Sequence, residues 1–215
     1  MDHLLLLKGS IGKEGAGTCP VRGHSNVQGD RTVGIWESAP QAFLDKIENK
    51  YGFKPTTKHG YSVIDAIKAM YEKKAKVFFG LGGNFISAVP DTRYSDQGLA
   101  NCNLTVHVST KLNRSHLVTG KEALILPCLG RSEKDYQKTG VQVQSVENSM
   151  CIVSSTKGVL EPCSKDLLSE VAVVCGIANA TLKERSKINW LEYKDDYKLV
   201  RDDIAEVVDG FDDFN

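Results

Sequence analysis

Three short apolar runs most constrain the fold of this 215-residue chain. They read KVFFGL from residue 76, NLTVHVST from residue 103 and EALILP from residue 122, and Pro127 ends the third. Short, nearly continuous apolar runs are typical of parallel strands that are covered on both faces. Helical patterns lie before the first run and between the first two. This order predicts an α/β fold with a doubly wound, mostly parallel sheet and adjoining helices.

The helices in the first half are predicted from apolar spacing and from residues that start or stop helices. Ser62 is a candidate N-cap, and apolar residues recur at helical spacing after it: Val63, Ile64, Ile67 and Met70. Pro90 and Asp91 suit a helix start, whereas Gly9 and Gly52 suit helix ends. Residues 9–34 show neither helical nor strand periodicity, so a long glycine-rich loop is expected there.

The last third of the chain is predicted to contain short extended segments and then two helices. The stretch GVQVQSVENSMCIVSS favours extended structure. A helix capped near Ser164 should present one apolar stripe formed by Leu167, Leu168, Val171, Val174 and Ile177. A second helix, DDYKLVRDDIAEVV, should end at Gly210, and the acidic tail FDDFN should be exposed.

The composition argues against several kinds of partner and location. There are 27 Lys plus Arg and 27 Asp plus Glu residues, so no general nucleic-acid-binding surface is expected. No apolar stretch approaches the roughly 20 residues of a membrane-spanning helix. The cysteines form no CxxC pair. Four lie in or beside apolar runs, where a thiol usually behaves as a small core residue: Cys102, Cys128, Cys151 and Cys175. We therefore predict reduced thiols in a cytoplasmic protein.

Polar residues follow the first two predicted strands, where α/β sheets bind ligands. Gly82, Gly83 and Asn84 follow the first strand. Glycine lets a backbone approach a phosphate closely, and the next helix is expected to supply free N–H groups. These residues match neither a GxGxxG fingerprint nor a P-loop, and a simple structural turn explains them equally well.

The end of the second strand is rich in hydrogen-bonding groups that suit a nucleoside base and sugar. They are Ser109, Thr110, Asn113, Arg114, Ser115 and His116. The alternative is a hydrogen-bonded turn with a helix cap, which on these residues alone is the simpler interpretation.

A third group, Arg22 and His24, lies among glycines in the long loop. Arginine binds anions and histidine can relay protons near neutral pH, although an exposed charged loop is the alternative. Asp30, Glu133 and Asp135 are candidates by location only, and the last two are expected in a solvated turn. The sequence has no GxSxG, HExxH or paired-carboxylate motif and no assignable metal ligand.

Four stretches together resemble the molybdopterin oxidoreductase family, most closely its formate dehydrogenase-like alpha subunits. They are CPVRGHSNVQGDRTVG from residue 19, VFFGLGGNFISAVPDT from residue 77, LTVHVSTKLNRSHLVTGKEALILPCLGRSEKD from residue 104 and GFDDFN from residue 210. The resemblance covers essentially the whole chain. Family members bind molybdenum through two molybdopterin guanine dinucleotides (bis-MGD), and many carry an N-terminal iron–sulfur (4Fe–4S) cluster.

This resemblance implies that the chain is a central fragment of a longer enzyme. The cysteines of the cluster, the segment with a cysteine or selenocysteine ligand for the metal, and the C-terminal domain have no counterpart here. The division that it implies has three parts. They are a glycine-rich loop and helices near the cofactor (1–60), an α/β molybdopterin-dinucleotide-binding domain (61–182), and a C-terminal helix and linker to a missing domain (183–215).

The resemblance also implies roles for single residues. Arg22 falls where formate dehydrogenases place an arginine beside the metal and the substrate anion, and His24 falls where they often have glutamine. Three residues match the loop along the pterin: Gly23, Asn26 and Gly29. Three match the loop that meets the dinucleotide: Gly82, Gly83 and Asn84. The guanosine contacts fall on Ser109, Thr110 and Asn113, and Ser109 replaces an acidic residue of many relatives.

Two functions are therefore expected from the sequence. The first is a fragment of a molybdenum-dependent oxidoreductase, whose partners are a molybdopterin guanine dinucleotide, formate or another small oxyanion, and the remainder of the same enzyme. Arg22 and His24 would be its catalytic residues. The alternative is a stand-alone nucleotide-binding module or an inactive remnant. The first predicts a coding sequence that continues in both directions, and the module predicts guanine-nucleotide binding by this chain alone.

Overall fold

The computed structural model describes residues 2–19 and 26–215. The α-helices of this part are α1 Asp2–Leu7, α2 Val27–Thr32, α3 Gln41–Tyr51, α4 Val63–Tyr71, α5 Phe85–Ala88, α6 Thr92–Ala100, α7 Glu170–Leu182, α8 Trp190–Asp195 and α9 Tyr197–Val207. Short 3₁₀ helices span Arg114–Leu117 and Lys183–Arg185. The strands are β1 Val77–Leu81, β2 Leu104–Ser109, β3 Glu122–Pro127, β4 Tyr136–Gln137, β5 Gly140–Val141, β6 Gln144–Glu147 and β7 Val153–Thr156.

A three-stranded parallel sheet organises the fold. Its strand order is β1-β2-β3, with Val77 opposite Leu104 and Leu104 opposite Glu122. The three predicted strands and their parallel direction are confirmed, and the protein has an α/β fold. A doubly wound sheet also requires a reversal of strand order, so that finer feature stays a prediction.

Helices cover the two faces of the sheet unequally. On one face, buried side chains of α4, α5 and α6 pack with Phe78 of β1: Ile67, Met70, Ile86 and Leu99. On the other face, Val173 of α7 packs against Val108 and Cys128. Beside α7, β1 presents Val77, Phe79 and Leu81 at 58%, 43% and 47% exposure. The prediction that both faces are covered is therefore wrong for β1 in the described part of the chain, because α7 lies over β2.

The predicted helix boundaries hold in the first half. Ser62 Oγ accepts a hydrogen bond from the Asp65 N–H at 3.2 Å and begins α4. Gly52, with φ of 71°, ends α3, and Gly9, with φ of 62°, follows α1. The long glycine-rich loop is only partly irregular, because α2 forms within it.

The helix α7 begins later than predicted. Its N-cap is Ser169 rather than Ser164, and the residues that it buries are Ala172, Val173 and Cys175. The predicted stripe is wrong, because Val174 and Ile177 are each about 40% exposed and Leu168 precedes the helix. Almost every side of α7 is apolar, so the sequence pattern did not identify the buried side. Leu168 instead lies beside Cys128 and continues the sheet edge.

The prediction that the C-terminal tail is exposed is only partly right. The rings of Phe211 and Phe214 are half-buried and nearly perpendicular, with centroids 4.9 Å apart. Arg201 of α9 donates from Nε to Asn215 Oδ1 at 2.7 Å and so holds the tail against the helix. Asp212, Asp213 and Asn215 are the exposed residues of this segment.

All six cysteines are free thiols in the structure. Cys102, Cys128 and Cys175 are buried, as predicted, and burial raises the pKa of each thiol. Cys151 is exposed, so its predicted place in the core is wrong. Within residues 2–19 and 26–215, no helix has the length and apolar character to cross a membrane.

Candidate functional site

Two of the predicted ligand loops meet at the carboxyl edge of the parallel sheet. Gly82, Gly83 and Asn84 follow β1, while Ser109 ends β2 and Thr110 follows it. The Gly82 N–H donates to the carbonyl of Val108 at 2.8 Å, so the first loop leaves the sheet while still attached to β2. The two loops lie side by side because β1 and β2 are parallel neighbours, whose carboxyl ends meet at the same edge of the sheet.

The loop after β1 requires glycine and is open to the outside at Gly83. Gly82 and Gly83 have φ of 70° and 75°, which L-residues with a side chain rarely adopt. Among the described residues, a Cβ at Gly83 would have no atom within 4 Å, whereas one at Gly82 would lie 3.7 Å from Glu170 Oε1. The Gly83 backbone is therefore accessible to a ligand at the sheet edge.

Side chains from the second loop fasten the first one in place. Asn113 Nδ2 donates to the carbonyl of Gly83 at 2.9 Å. Ser115 Oγ lies 3.2 Å from Asn84 Oδ1 and accepts the Ile86 N–H at 3.0 Å. Asn113 also caps the 3₁₀ helix through the Ser115 N–H at 2.9 Å. The helix cap considered for this segment is present, and Asn84 and Asn113 bond within the protein.

The small α5 helix has three of its four N–H groups already bound, so it supplies few of the free N–H groups that were expected after the glycine loop. It contains only four residues. The Ile86 N–H is bound to Ser115, and the N–H groups of Ser87 and Ala88 both donate to the carbonyl of Asn84. A one-turn helix also has little macrodipole. Polar contacts to a ligand here would therefore come from the Gly83 backbone and from the hydroxyls of Ser109 and Thr110.

Ser109 and Thr110 differ in their surroundings. Ser109 is buried at 8% exposure and its carbonyl accepts the Cys128 N–H at 3.1 Å. Thr110 is exposed at the rim of the sheet edge. The pair therefore offers one buried hydroxyl at the end of β2 and one exposed hydroxyl just beyond it.

Asn26 and Gly29 lie in a second cluster on α2. Asn26 Oδ1 accepts the Glu147 N–H at 2.9 Å, and a Cβ at Gly29 would be 2.4 Å from that same oxygen. Both residues line a cavity of about 340 Å³ together with Arg131 and Tyr197. A larger residue at position 29 would push Asn26 away from β6, so the glycine there has a structural reason.

A small polar cavity lies between the two clusters. Its volume is about 40 Å³, and its lining includes Arg131 and Glu170. Arg131 also lines the larger cavity beside Gly29, and Glu170 lies near Gly82. This small cavity thus links the surroundings of Gly82 at the sheet edge to the α2 cavity.

Asp135 belongs to a buried network and not to a solvated turn, so that prediction is wrong. Asp135 is 6% exposed and accepts from the Tyr197 hydroxyl and, at 2.6 Å, from Gln137 Nε2. The Tyr197 oxygen lies 2.7 Å from Ser169 Oγ, the N-cap of α7. Burial, together with the Asp135 carboxylate, raises the pKa of Tyr197. No motif or periodicity in the sequence indicates this connection between Asp135, α7 and α9.

Glu133 is also more ordered than a solvated turn implies. Its Oε2 accepts the Gly130 N–H at 2.6 Å and its Oε1 accepts the Cys163 N–H at 3.1 Å. Asp30 lines the cavity beside Gly29. Three predicted site residues, Arg22, Gly23 and His24, lie outside the described residues.

No metal centre is evident from the side chains that the structure describes. Within residues 2–19 and 26–215, no group of three or more His, Cys, Asp or Glu side chains is arranged to hold a metal ion.

The sequence is similar over its whole length to part of larger proteins. An uncharacterised oxidoreductase of Mycobacterium tuberculosis H37Rv is 50% identical over 215 residues, which are 100% of this chain and 28% of that protein. The protein YdeP of Escherichia coli K12 is 48% identical over 213 residues, 99% of this chain and 28% of YdeP. No protein-family model matches the sequence.

A more distant relative carries a more specific name. YrhE of Bacillus subtilis, whose name proposes a formate dehydrogenase, is 26% identical over 167 residues, 73% of this chain and 17% of YrhE. The chain thus spans 28% of the length of the M. tuberculosis and E. coli relatives. The comparisons relate it to proteins named as oxidoreductases.

Proposed function

We propose that this chain forms the dinucleotide-binding α/β part of a larger molybdopterin-dependent oxidoreductase of the formate dehydrogenase type. In this proposal it holds part of a molybdopterin guanine dinucleotide along the carboxyl edge of its sheet. The observation that carries the proposal is the open Gly83 backbone beside Ser109 and Thr110 at that edge. The similarity to proteins named as oxidoreductases supports the redox assignment.

The residues at the edge fit a nucleotide diphosphate. A side chain at Gly83 would fill the open space that a ligand needs, and the N–H of a glycine with positive φ suits an anion. Arg131, between the two cavities, offers a permanent positive charge to a phosphate.

The division of work between cofactor and protein follows from the residues available. A molybdenum cofactor would supply the two-electron redox chemistry when bound, and the protein would supply binding, orientation and electrostatics. We assign anion contact to Arg22 and a hydrogen-bonding or proton-transfer role to His24. The substrate in this proposal is formate or another small oxyanion, and the rest of the enzyme completes the metal site.

The nucleotide part of the proposal is testable on this chain with GDP, which reproduces the guanosine diphosphate portion of the cofactor. Calorimetry should detect GDP binding that is stronger than ADP binding. Gly83→Ala should weaken it by about tenfold, because the added Cβ occupies the ligand's space and strains a backbone with positive φ.

Gly140→Ala is the matched control. Gly140 has φ of 109° and open space around its Cβ position, but it begins β5 in the separate β4–β5 hairpin. It should leave GDP affinity unchanged. Equal affinities for GDP and ADP, or an absence of binding heat with either, would contradict the assignment of a guanine site to this chain.

A further inference from the structure

Two buried histidines lie directly behind the glycine loop. His107 on β2 and His116 on the 3₁₀ helix are 4% and 8% exposed, and their rings meet edge-on with centroids 5.0 Å apart. The Nε2 atoms of both rings are buried and have no hydrogen-bond partner within the described residues. Buried polar atoms without partners are uncommon, so this pair calls for a physical explanation.

The hydrogen bonds of His116 define its protonation state. Its Nδ1 lies 2.8 Å from the backbone nitrogen of Asn113 and accepts that N–H. A nitrogen that accepts carries no proton, so the neutral ring has its proton on Nε2. The arrangement therefore requires a neutral imidazole with one defined tautomer.

Asn113 transmits this requirement to the ligand loop. The same residue whose N–H is held by His116 donates from its side chain to the Gly83 carbonyl at 2.9 Å. Two residues further along, Ser115 holds Asn84 and the Ile86 N–H. The 3₁₀ helix thus grips the glycine loop at Gly83, Asn84 and Ile86, and His116 holds the residue that begins this helix.

We propose that His116 is a positioning residue, which sets the Gly82–Asn84 loop through Asn113 only while its imidazole is neutral. Acidification then loosens the loop and lowers the affinity of any ligand that the loop binds. The ligand half of this inference rests on the proposed function. The coupling between His116 and the loop does not.

Protonation breaks the arrangement for two reasons. A proton on Nδ1 would face the Asn113 N–H and remove its acceptor, and Nδ1 could then only donate, to the Asn113 carbonyl 3.1 Å away. An imidazolium would also be buried against the His107 ring. Burial, with a smaller contribution from His116, lowers the pKa of His107.

The nearest charged side chains on the 3₁₀ helix and on α6 face each other. Arg114 lies on the same 3₁₀ helix, and its guanidinium is 3.9 Å from Asp96 Oδ2 of α6, so these two charges offset each other. Phe78 of β1 and Phe85 of α5 bring no charge to this group.

The coupling is testable on the chain without any ligand by NMR at a series of pH values. The His116 ring should show the Nε2–H tautomer at high pH. As His116 titrates, the amide signals of Asn113, Gly83 and Asn84 should shift together with its ring, and the Asn113 N–H should exchange with solvent roughly fivefold faster. Loop signals that ignore the His116 titration would refute the coupling.

His116→Asn is the decisive variant because an asparagine Oδ1 can replace Nδ1 as an acceptor and does not titrate. It should keep the loop signals of the neutral wild type and remove their pH dependence. His116→Leu, which cannot accept the Asn113 N–H, should give shifted loop signals at every pH. If the loop of His116→Asn still responds to pH as in the wild type, another group controls it and the inference is wrong.

A GDP titration separates this inference from the proposed function. GDP affinity should fall on acidification in the wild type and stay constant in His116→Asn. Absence of GDP binding together with a pH-coupled loop would reject the nucleotide proposal and retain the positioning role. GDP binding that has the same pH dependence in the wild type and in His116→Asn would reject the positioning role.

Discussion

The buried Tyr197 hydroxyl provides the clearest stability test of the structure. Tyr197 donates to the Asp135 carboxylate, so its oxygen must accept the proton of Ser169 Oγ, which itself accepts the Ala172 N–H at 3.2 Å. Tyr197→Phe removes one hydrogen bond to a buried charge and one between neutral groups. The expected loss of unfolding free energy is about 3 kcal/mol, because such bonds contribute roughly 1.5–3 and 1 kcal/mol respectively.

Urea unfolding followed by far-UV circular dichroism measures this loss directly. A 3 kcal/mol change corresponds to a midpoint shift of about 1–2 M urea for a typical small-protein m-value. Tyr136→Phe is the matched control, since the Tyr136 hydroxyl bonds only to Glu161 at the exposed surface. Equal midpoint shifts for the two variants would refute the argument that the Asp135 network is buried and stabilising.

Three further predictions follow from local contacts. Gly158→Ala should lower the free energy of unfolding by more than about 2 kcal/mol, because the added Cβ would lie 1.9 Å from the Glu133 carbonyl oxygen. Gly176→Ala, in open space on α7, should instead raise it by roughly 0.5–1 kcal/mol, and urea unfolding measures both changes. Because the pKa of His107 is lowered in the folded protein, the imidazole binds a proton in the unfolded chain first as the pH falls. The free energy of unfolding should therefore decrease below about pH 6.5, and decrease less in His107→Leu, as unfolding at several pH values would measure. The raised pKa of Tyr197 has the opposite sense, so stability should decline above about pH 10, and less so in Tyr197→Phe, by the same measurement in alkaline buffers.

The sequence predicted the elements whose signals are local. The runs around Phe78, Val106 and Leu124 are rich in apolar residues that favour strands and are bounded by polar segments, and they form the parallel sheet. Ser62 and Gly52 start and stop helices through their own backbone and side-chain chemistry. Such signals act within a few residues and need no knowledge of distant contacts.

The misassigned features depend on contacts between distant segments. The buried side of α7 is decided by where Val108 and Cys128 of the sheet lie, since almost every side of this helix is apolar. Asp135 is buried because Tyr197, 62 residues later, reaches its carboxylate. Neither contact has a counterpart in the periodicity of either segment.

The candidate site shows the same division between local and distant information. Glycines after a strand predicted an open turn, and the structure has that turn at Gly83. The polar residues beyond β2 predicted both a ligand contact and a helix cap, and Asn113 makes the cap. The bond from Asn113 to Gly83 joins two loops 30 residues apart, and only the parallel pairing of β1 and β2 brings them together.

Asn113 therefore has two separable roles, and one substitution distinguishes them. Asn113→Asp keeps an oxygen that accepts the Ser115 N–H and so preserves the 3₁₀ cap, but it loses the donor to Gly83 and sets a carboxylate against that carbonyl. We expect the 3₁₀ helix to persist by NMR while the Gly82–Asn84 signals broaden or shift. Asn113→Ala should disturb both segments. If Asn113→Asp leaves the glycine loop unchanged, Asn113 serves only as the cap of the 3₁₀ helix and does not hold the loop.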